Sequence, residues 1–479
     1  MSRLPRPTLE GVHLPSRKLM AVLVLVFLGF GVLVGRAARD SVQQAALADA
    51  AGPVKVYVKP NPAASATAPT PAPEQAPPAE EAPAPEAPAP AASNSSGHAA
   101  PAPASGSAGA PSTKPAPAPA KAPTTLPAIK HVFVIVLSDQ PYSAVFGPES
   151  QAHYLVGKLE PQGTLLSRYD AVAHEELPDE VALISGQGAT PQTASNCPSY
   201  TPIEPAGAGA DGQVLGQGCV YPASTRTLPG ELEEHHLRWR AYLEGVAEGP
   251  APVPACSHPA LGAPDSTTPP EGTPAAGTGA PSGAYATYRN PFPYFQSLTA
   301  SGACARSETG IAQLEADLAK PGKTPAFSYI VPGLCHDAGP TPCAPGATAG
   351  PAAADPFLRR VVPEILASRA YKQNGLLVIT TDEAPSSGEF GDSSSCCGQP
   401  AFPNLGARGI GLGGRPSGGG AVGALLLSPF IKGPASSVEA YNHFSLLATI
   451  EDVFGVKRLG YAGLSAVTPL APSIFTARG

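Results

Sequence analysis

The stretch "AVAHEELPDEVALISGQ", residues 171–187, carries His174, Glu175, Glu176, Asp179 and Glu180 and leads into the apolar run 181–184. Its first hydroxyl is Ser185. Two other apolar runs end on acids: "VIVLSDQ" places Ser138 and Asp139 at its end, and "LLVITTDEA" places Thr381, Asp382 and Glu383 there. His443 stands at the start of a late helical pattern. Carboxylates gathered from neighbouring strand ends make an oxygen-rich shell for a divalent cation. Asp139, Asp382, Glu383 and His443 are the candidate ligands, and such a shell favours Ca²⁺, Mg²⁺ or Mn²⁺ over zinc. The bland alternatives are helix caps, or a solvated acidic turn with no ligand.

Such convergence needs a scaffold that brings strand ends together. "HVFVIVL" (131–137) and "LLVIT" (376–380) are apolar without polar alternation, as expected of parallel strands buried on both faces, and "ALLLSPF" (424–430) is a third candidate. Helical patterns fall between and after them, at 231–245, 310–320 and 442–455, the last ending at Gly455. Alternating strands and helices predict an α/β sandwich with a mostly parallel sheet. Ligands of open α/β sheets bind beyond the carboxyl ends of the strands, where these acids lie. The Pro/Gly-rich stretches 259–284 and 404–420 read as surface loops.

The chain has 479 residues, 61 of them proline and 51 glycine, so part of it is not expected to pack into a core. A net charge of −7, with no basic cluster carrying interleaved aromatics, argues against a nucleic-acid binder. Residues 19–35 form an uncharged apolar run preceded by Arg3, Arg6, Arg17 and Lys18. This reads as a single-pass signal anchor with residues 1–18 cytoplasmic and the rest extracytoplasmic. A cleaved signal peptide is the rival reading. Residues 36–127 form a disordered linker with a short extended stretch at 54–59; between Pro60 and Pro127 there are 19 prolines in 68 residues. At roughly 3 Å per residue this stalk reaches on the order of 200 Å. Residues 128–479 form the globular domain.

The eight cysteines are an even number, as expected of disulfides in an oxidising compartment, and no CxxC pair points to structural zinc. Neighbouring pairs such as Cys335–Cys343 and Cys256–Cys304 would staple loops, whereas Cys396 and Cys397 are expected to join two separate disulfides. His235 and His236 lie in a charged helical pattern and read as solvated.

Six stretches, in order, resemble the bacterial phosphoesterase family, the phospholipase C and acid phosphatase-like branch of the alkaline phosphatase superfamily. They are "HVFVIVLSDQPYSAVFG", "AHEELPDEVALISGQ", "YRNPFPYFQSL", "FSYIVPGLCHD", "LLVITTDEA" and "YNHFSLLATIEDVFG", spanning roughly residues 130–475. The resemblance implies an alkaline phosphatase-like three-layer α/β sandwich. It also implies metal-assisted phosphoryl transfer, in which a Ser or Thr hydroxyl attacks phosphorus. Asp382, Glu383 and His443 match the family pattern. Ser138 and Asp139 replace a Glu-Asn pair, Glu176 occupies the nucleophile position, and Arg289 replaces a histidine. Asp179, Arg289 and His336 are the implied substrate-binding residues, with Asp337 beside the last. The expected function is therefore a membrane-anchored phosphate-ester hydrolase whose nucleophile is substituted. The alternative is a pseudo-enzyme that binds a metal, a phosphate ester or an envelope component.

Overall fold

Burial of apolar runs at two alternating faces explains the architecture. The computed structural model describes residues 125–248, 252–268, 285–320, 322–409 and 417–475. These residues belong to one compact unit, Ser112–Gly479. The expected anchor at 19–35, the stretch 54–59 and the rest of the linker up to residue 124 lie outside the described residues. Among the described residues no helix is long and apolar enough to cross a membrane.

The central sheet has eight strands: β1 (His131–Leu137), β2 (Thr164–Leu166), β3 (Trp239–Leu243), β4 (Glu308–Thr309), β5 (Phe327–Val331), β6 (Gly375–Thr381), β7 (Ala424–Leu427) and β8 (Ala435–Ser437). Their order is β8-β2-β7-β6-β1-β5-β3-β4. All pairings are parallel except those of β7, which runs antiparallel to both β6 and β2. The mostly parallel sheet is thus observed, with the 424–430 run shortened to four residues and reversed in direction.

Period-2 side chains feed two cores. Val132, Val134 and Val136 of β1 and Leu376 and Val378 of β6 point into one, together with Leu177, Val181 and Ile184 of α1 (Glu176–Ser185). Phe133, Ile135, Leu137, Leu377 and Ile379 point into the other, against α2 (Ala312–Leu318) and α3 (Pro351–Ala367). Helices on both faces make three layers. The last helix, α4 (His443–Phe454), packs beside α1 in the first core. Asn442 caps it by accepting from Ser445 N, and Gly455 ends it at φ 66°, a left-handed conformation that glycine adopts without steric cost.

The helical pattern at 231–245 is corrected. A helix covers only Leu228–Glu234, His236 turns to φ 58°, and Trp239–Leu243 forms β3. Trp239, Ala241 and Leu243 enter one core while Tyr242 enters the other, an alternation only a strand can satisfy. Tertiary burial overrides local helical spacing there.

Four disulfides are present, Cys197–Cys219, Cys256–Cys304, Cys335–Cys343 and Cys396–Cys397. The two expected neighbouring pairs form. The expectation of two separate bridges for Cys396 and Cys397 is overturned: the other six cysteines pair among themselves, and these adjacent residues bond to each other.

Candidate functional site: an acid crevice at the start of α1

Register brings the acids together. Leu137 pairs with Thr381 at the ends of β1 and β6, so Ser138–Asp139 and Asp382–Glu383 emerge side by side. Asp382 N donates to Leu137 O at 3.0 Å, and Asp139 N donates to Asp382 Oδ1 at 3.0 Å. From β5 the chain returns at Asp337, whose carbonyl accepts from Ser138 N at 2.6 Å.

α1 delivers its first turn to the same place. Asp179 folds the preceding turn by accepting from Val172 N and Ala173 N at 2.7 and 3.2 Å. Glu175, just before the helix, sits at φ 68°, and Asp139 at φ 47°. Non-glycine residues held there carry strain, which concentrates at functional sites. Glu176 opens the helix half-buried; it accepts from Ser138 Oγ at 3.5 Å and from Asn196 Nδ2. Asn196 Oδ1 also takes the Leu177 amide at 3.1 Å, capping the first turn that Glu175 leaves uncapped.

One permanent cation serves the crevice. Arg289, 2% exposed, donates through Nη1 to Glu180 at 2.8 Å and to Asp382 Oδ2, and through Nη2 to the Val136 carbonyl at 3.1 Å. Its Nε lies 3.5 Å from Asp337. Burial works against its charge, but Asp382, Glu180 and Asp337 outweigh burial and keep it protonated. Tyr329 donates its hydroxyl to the other Glu180 oxygen.

The acids outnumber it. Burial first, then Glu176 and Asp382, pushes Asp139 up to about 7. Burial raises Glu180 and Asp337 to about 8 despite Arg289, and Asp382 to about 6. Glu383 and Asp179 are raised well above the carboxylate range, chiefly by burial. Protons held this way are what a crowded carboxylate cluster uses when no further cation neutralises it.

The two histidines are neutral. His443 is pushed down to about 4 by burial; its Nε2 meets the Asp382 carbonyl at 2.8 Å and its Nδ1 meets Tyr169 OH at 2.9 Å. A carbonyl only accepts, so Nε2 carries the proton and Nδ1 accepts from the tyrosine. Burial also lowers His174, which lies between Glu383 Oε2 (3.1 Å) and Ser393 Oγ (2.8 Å).

The donors can be compared with the divalent metal that the resemblance implies. Asp382 is taken up by two amides and Arg289, and His443 has both nitrogens engaged. Asp139 accepts no side-chain hydrogen bond among the described residues, Glu383 uses one oxygen, and Asp179 Oδ2 is buried without a partner. Oxygen donors of this kind have the chemistry of a hard-cation shell, with Asp139, Glu176 and Glu383 foremost and Asp382 and His443 behind them, but their ligand atoms are not drawn within 4.8 Å of one another. Among the described residues, the groups of His, Cys, Asp and Glu that do converge so closely are Cys335, His336 and Cys343, and Cys256, Cys304 and Glu308, and both include disulfide sulfurs.

Of the expected site residues, the structure gathers Asp139, Glu176, Asp179, Arg289, Asp382, Glu383 and His443. His336 is turned aside; its Nδ1 pairs with Glu244 at 2.8 Å, and Arg360 holds the other Glu244 oxygen. The glutamate raises the pKa of His336. Sequence reasoning assigned no role to Glu180, Asn196 or His174. Glu180 and His174 stood in the acidic stretch itself, whereas nothing in the sequence singles out Asn196.

A family model described as the Phosphoesterase family matches residues 129–457. No curated protein matches the chain. Among solved structures, a protein in the alkaline phosphatase superfamily from Vibrio parahaemolyticus is 12% identical, with 73% of this chain and 72% of that chain covered and a TM-score of 0.39. The lipoteichoic acid synthase LtaP from Listeria monocytogenes is 9% identical, with coverages of 70% and 75% and a TM-score of 0.39. A phosphonate monoester hydrolase from Silicibacter pomeroyi is 12% identical, with coverages of 69% and 74% and a TM-score of 0.37.

Proposed function

Because this chain belongs to the Phosphoesterase family, we propose that its crevice engages phosphate esters through a divalent cation but has lost serine-dependent hydrolysis. The motif order supports a place in the phospholipase C and acid phosphatase-like branch of the alkaline phosphatase superfamily. The observation that carries the reading is Glu176 at the first position of α1, bonded to Asn196 and touching Ser138. A carboxyl group there offers no hydroxyl to attack a phosphoryl group.

Asp139, Glu176 and Glu383 would hold the cation, which supplies the positive charge needed to accept a phosphoryl oxygen. His174 orients Glu383, Asn196 orients Glu176, and Arg289 fixes Asp382. His443 acts at one remove, by holding the Asp382 carbonyl. None of these groups offers a free nucleophile.

The full chain, supplied in turn with Ca²⁺, Mg²⁺ or Mn²⁺, is expected to show no turnover of phosphomonoesters or phosphodiesters. Changing Ser138→Glu, Asp139→Asn, Glu176→Ser and Arg289→His together is expected to return a trace of hydrolysis, since metal and nucleophile act as a unit. Robust wild-type hydrolysis that survives Glu176→Ala and Ser138→Ala would refute the reading.

A second reading rests on the Ser138–Glu176 contact at 3.5 Å. Here Ser138 Oγ would attack phosphorus as Glu176 takes its proton, Glu176 would return that proton to the departing ester oxygen, and water would then cleave the phosphoserine. Wild-type turnover abolished by Ser138→Ala would select it. The burial of Ser138, 1% exposed, favours the first reading.

The apolar run 19–35 and the proline-rich stretch after it support an extracytoplasmic domain tethered to the cell membrane. Membrane fractionation with an intact amino terminus tests this. A soluble chain beginning near Asp49 would replace it with a cleaved leader.

A further inference from the structure

The opposite end of α1, about 14 Å along the helix from Glu176, borders a cavity of about 530 Å³. That is the size range of small-molecule pockets. Its walls are Ser185 and Gln187, the hairpin Glu204–Gln217, the loop 222–226, and the segment 457–463 that follows α4. The walls are held by side-chain amides. Gln187 bonds Gly212 O at 2.9 Å and Val214 N at 2.8 Å, while Gln213 bonds Gly186 O at 2.9 Å and Gly188 N at 2.7 Å.

Three cations, Arg226, Lys457 and Arg458, line it against one acid, Asp211. Arg226 donates through Nε to Glu231 and through Nη2 to Glu234, and Arg458 donates through Nε and Nη2 to Asp452. These acids fix both guanidinium forks and leave each Nη1 undonated among the described residues. They also weaken the long-range field, so recognition must come from short hydrogen bonds inside the cavity. Lys457 is exposed and has no described partner. Thr225 is the independent observation: 6% exposed and lining the cavity, its hydroxyl is buried without any hydrogen-bond partner. A buried unpaired hydroxyl costs stability that a ligand oxygen would recover. Val214, Pro222 and Leu459 add an apolar wall.

We propose that this cavity is a second binding site, separate from the acid crevice, for a small organic molecule carrying a phosphate group. Lys457 and the two guanidinium forks take the phosphate oxygens, Thr225 donates its hydroxyl, and the apolar wall takes the organic body.

Isothermal titration of the full chain with inorganic phosphate and with a sugar monophosphate, at constant ionic strength against chloride, tests this. One-site binding of both is expected, tighter for the sugar phosphate. Phosphate alone binding equally well would retain the anion site and remove the organic body from the proposal. Lys457→Glu, at an exposed position, is expected to weaken binding at least about tenfold with unchanged melting temperature, and Thr225→Val several-fold with a melting temperature no lower than wild type, since it removes an unpaired buried hydroxyl. Loss in Lys457→Glu but not in Thr225→Val keeps the site and removes the hydroxyl as a contact. No saturable binding above chloride would overturn the proposal, as would binding indifferent to Lys457→Glu. Binding that requires a divalent cation and survives Lys457→Glu would place the anion in the acid crevice instead, and would equally overturn it.

Discussion

The two ends of α1 are built on opposite charges, and each leaves a different group unsatisfied. At the start of the helix, acids from four chain segments crowd around Arg289, whose donors go to Glu180, Asp382 and a carbonyl. At its end, Arg226 and Arg458 are steadied by acids behind them, the Lys457 ammonium is exposed, and the Thr225 hydroxyl is buried without a partner. The first end asks for a cation, the second for an anion. On the proposed reading, the crevice keeps its family acids while Glu176 stands where a reactive hydroxyl would be, and the proposed second site lies away from the strand ends.

The largest effect should come from the crevice's own cation. Arg289→Ala leaves Glu180, Asp382 and Asp337 buried without their partner, and a broken buried ion pair costs about 3–5 kcal/mol. Arg458→Ala at the other end removes a pair about one-third exposed and should cost no more than about 1 kcal/mol. Urea unfolding of both variants checks the comparison. Equal losses would show that the two ends do not differ in burial as described.

Next in size is the link between the ends. Cys197–Cys219 encloses the hairpin that walls the basic cavity, and Cys197 follows Asn196, the partner of Glu176. A bridge closing 22 residues is worth about 3 kcal/mol. Cys197→Ser/Cys219→Ser should lower stability by that order and weaken phosphate binding at the cavity. Full stability with loosened binding would confine its role to the wall.

How much of this was legible beforehand follows from distance along the chain. β1, β6 and α4 were readable because long apolar runs and a Gly stop override local noise. Asp139, Asp382 and Glu383 were readable because strand ends converge in any parallel sheet. The partners of Arg289 were not, since Glu180, Asp337 and Asp382 come from three separate segments and only packing joins them. Trp239–Leu243 was misread because its apolar spacing satisfies a helix until both faces are known to be buried. The basic cavity had no signal at all, because Arg226 and Lys457 meet across a long sequence separation with no motif.

Proton linkage gives a smaller, continuous effect. Glu451 in α4 is fully buried, its Oε2 has no partner, and burial pushes its pKa from 4.5 to about 9. The folded state therefore keeps a proton that the unfolded state has lost above 4.5. Stability from this group is fully present below 4.5 and falls as pH rises toward 9. His443 acts with the opposite sign: folded near 4 and unfolded near 6.5, it costs stability as pH falls through that window. Above pH 7 the raised acids dominate, Glu180 and Asp337 at about 8 among them, and His336, raised by Glu244, acts in the same direction. Urea midpoints between pH 7 and 8 should fall in wild type, and Glu451→Gln should flatten the slope by about 1.4 kcal/mol per pH unit. An unchanged slope in the variant would show that Glu451 is ionised in the fold.

The smallest effect is expected from the other disulfide near α1. Cys396–Cys397 belongs to the loop that carries Ser393 to His174 at the acid crevice. A bond between adjacent residues closes almost no chain, so the loop-entropy gain of a longer bridge is missing. Hydrogen bonds already hold the segment: Asp392 accepts from Ser394 N and Ala421 N, and Gln399 donates to Val172 O. Cys397 sits at φ 63°, a strain serine would share, so the exchange leaves the backbone cost in place. Cys396→Ser/Cys397→Ser should therefore change stability by less than about 0.5 kcal/mol, against about 3 kcal/mol for the Cys197–Cys219 pair. Thiol labelling of the unreduced, denatured wild type should find no free sulfhydryl. A loss comparable to that of the long bridge would mean the vicinal bond fixes the crevice loop, and His174 would then titrate differently in the variant.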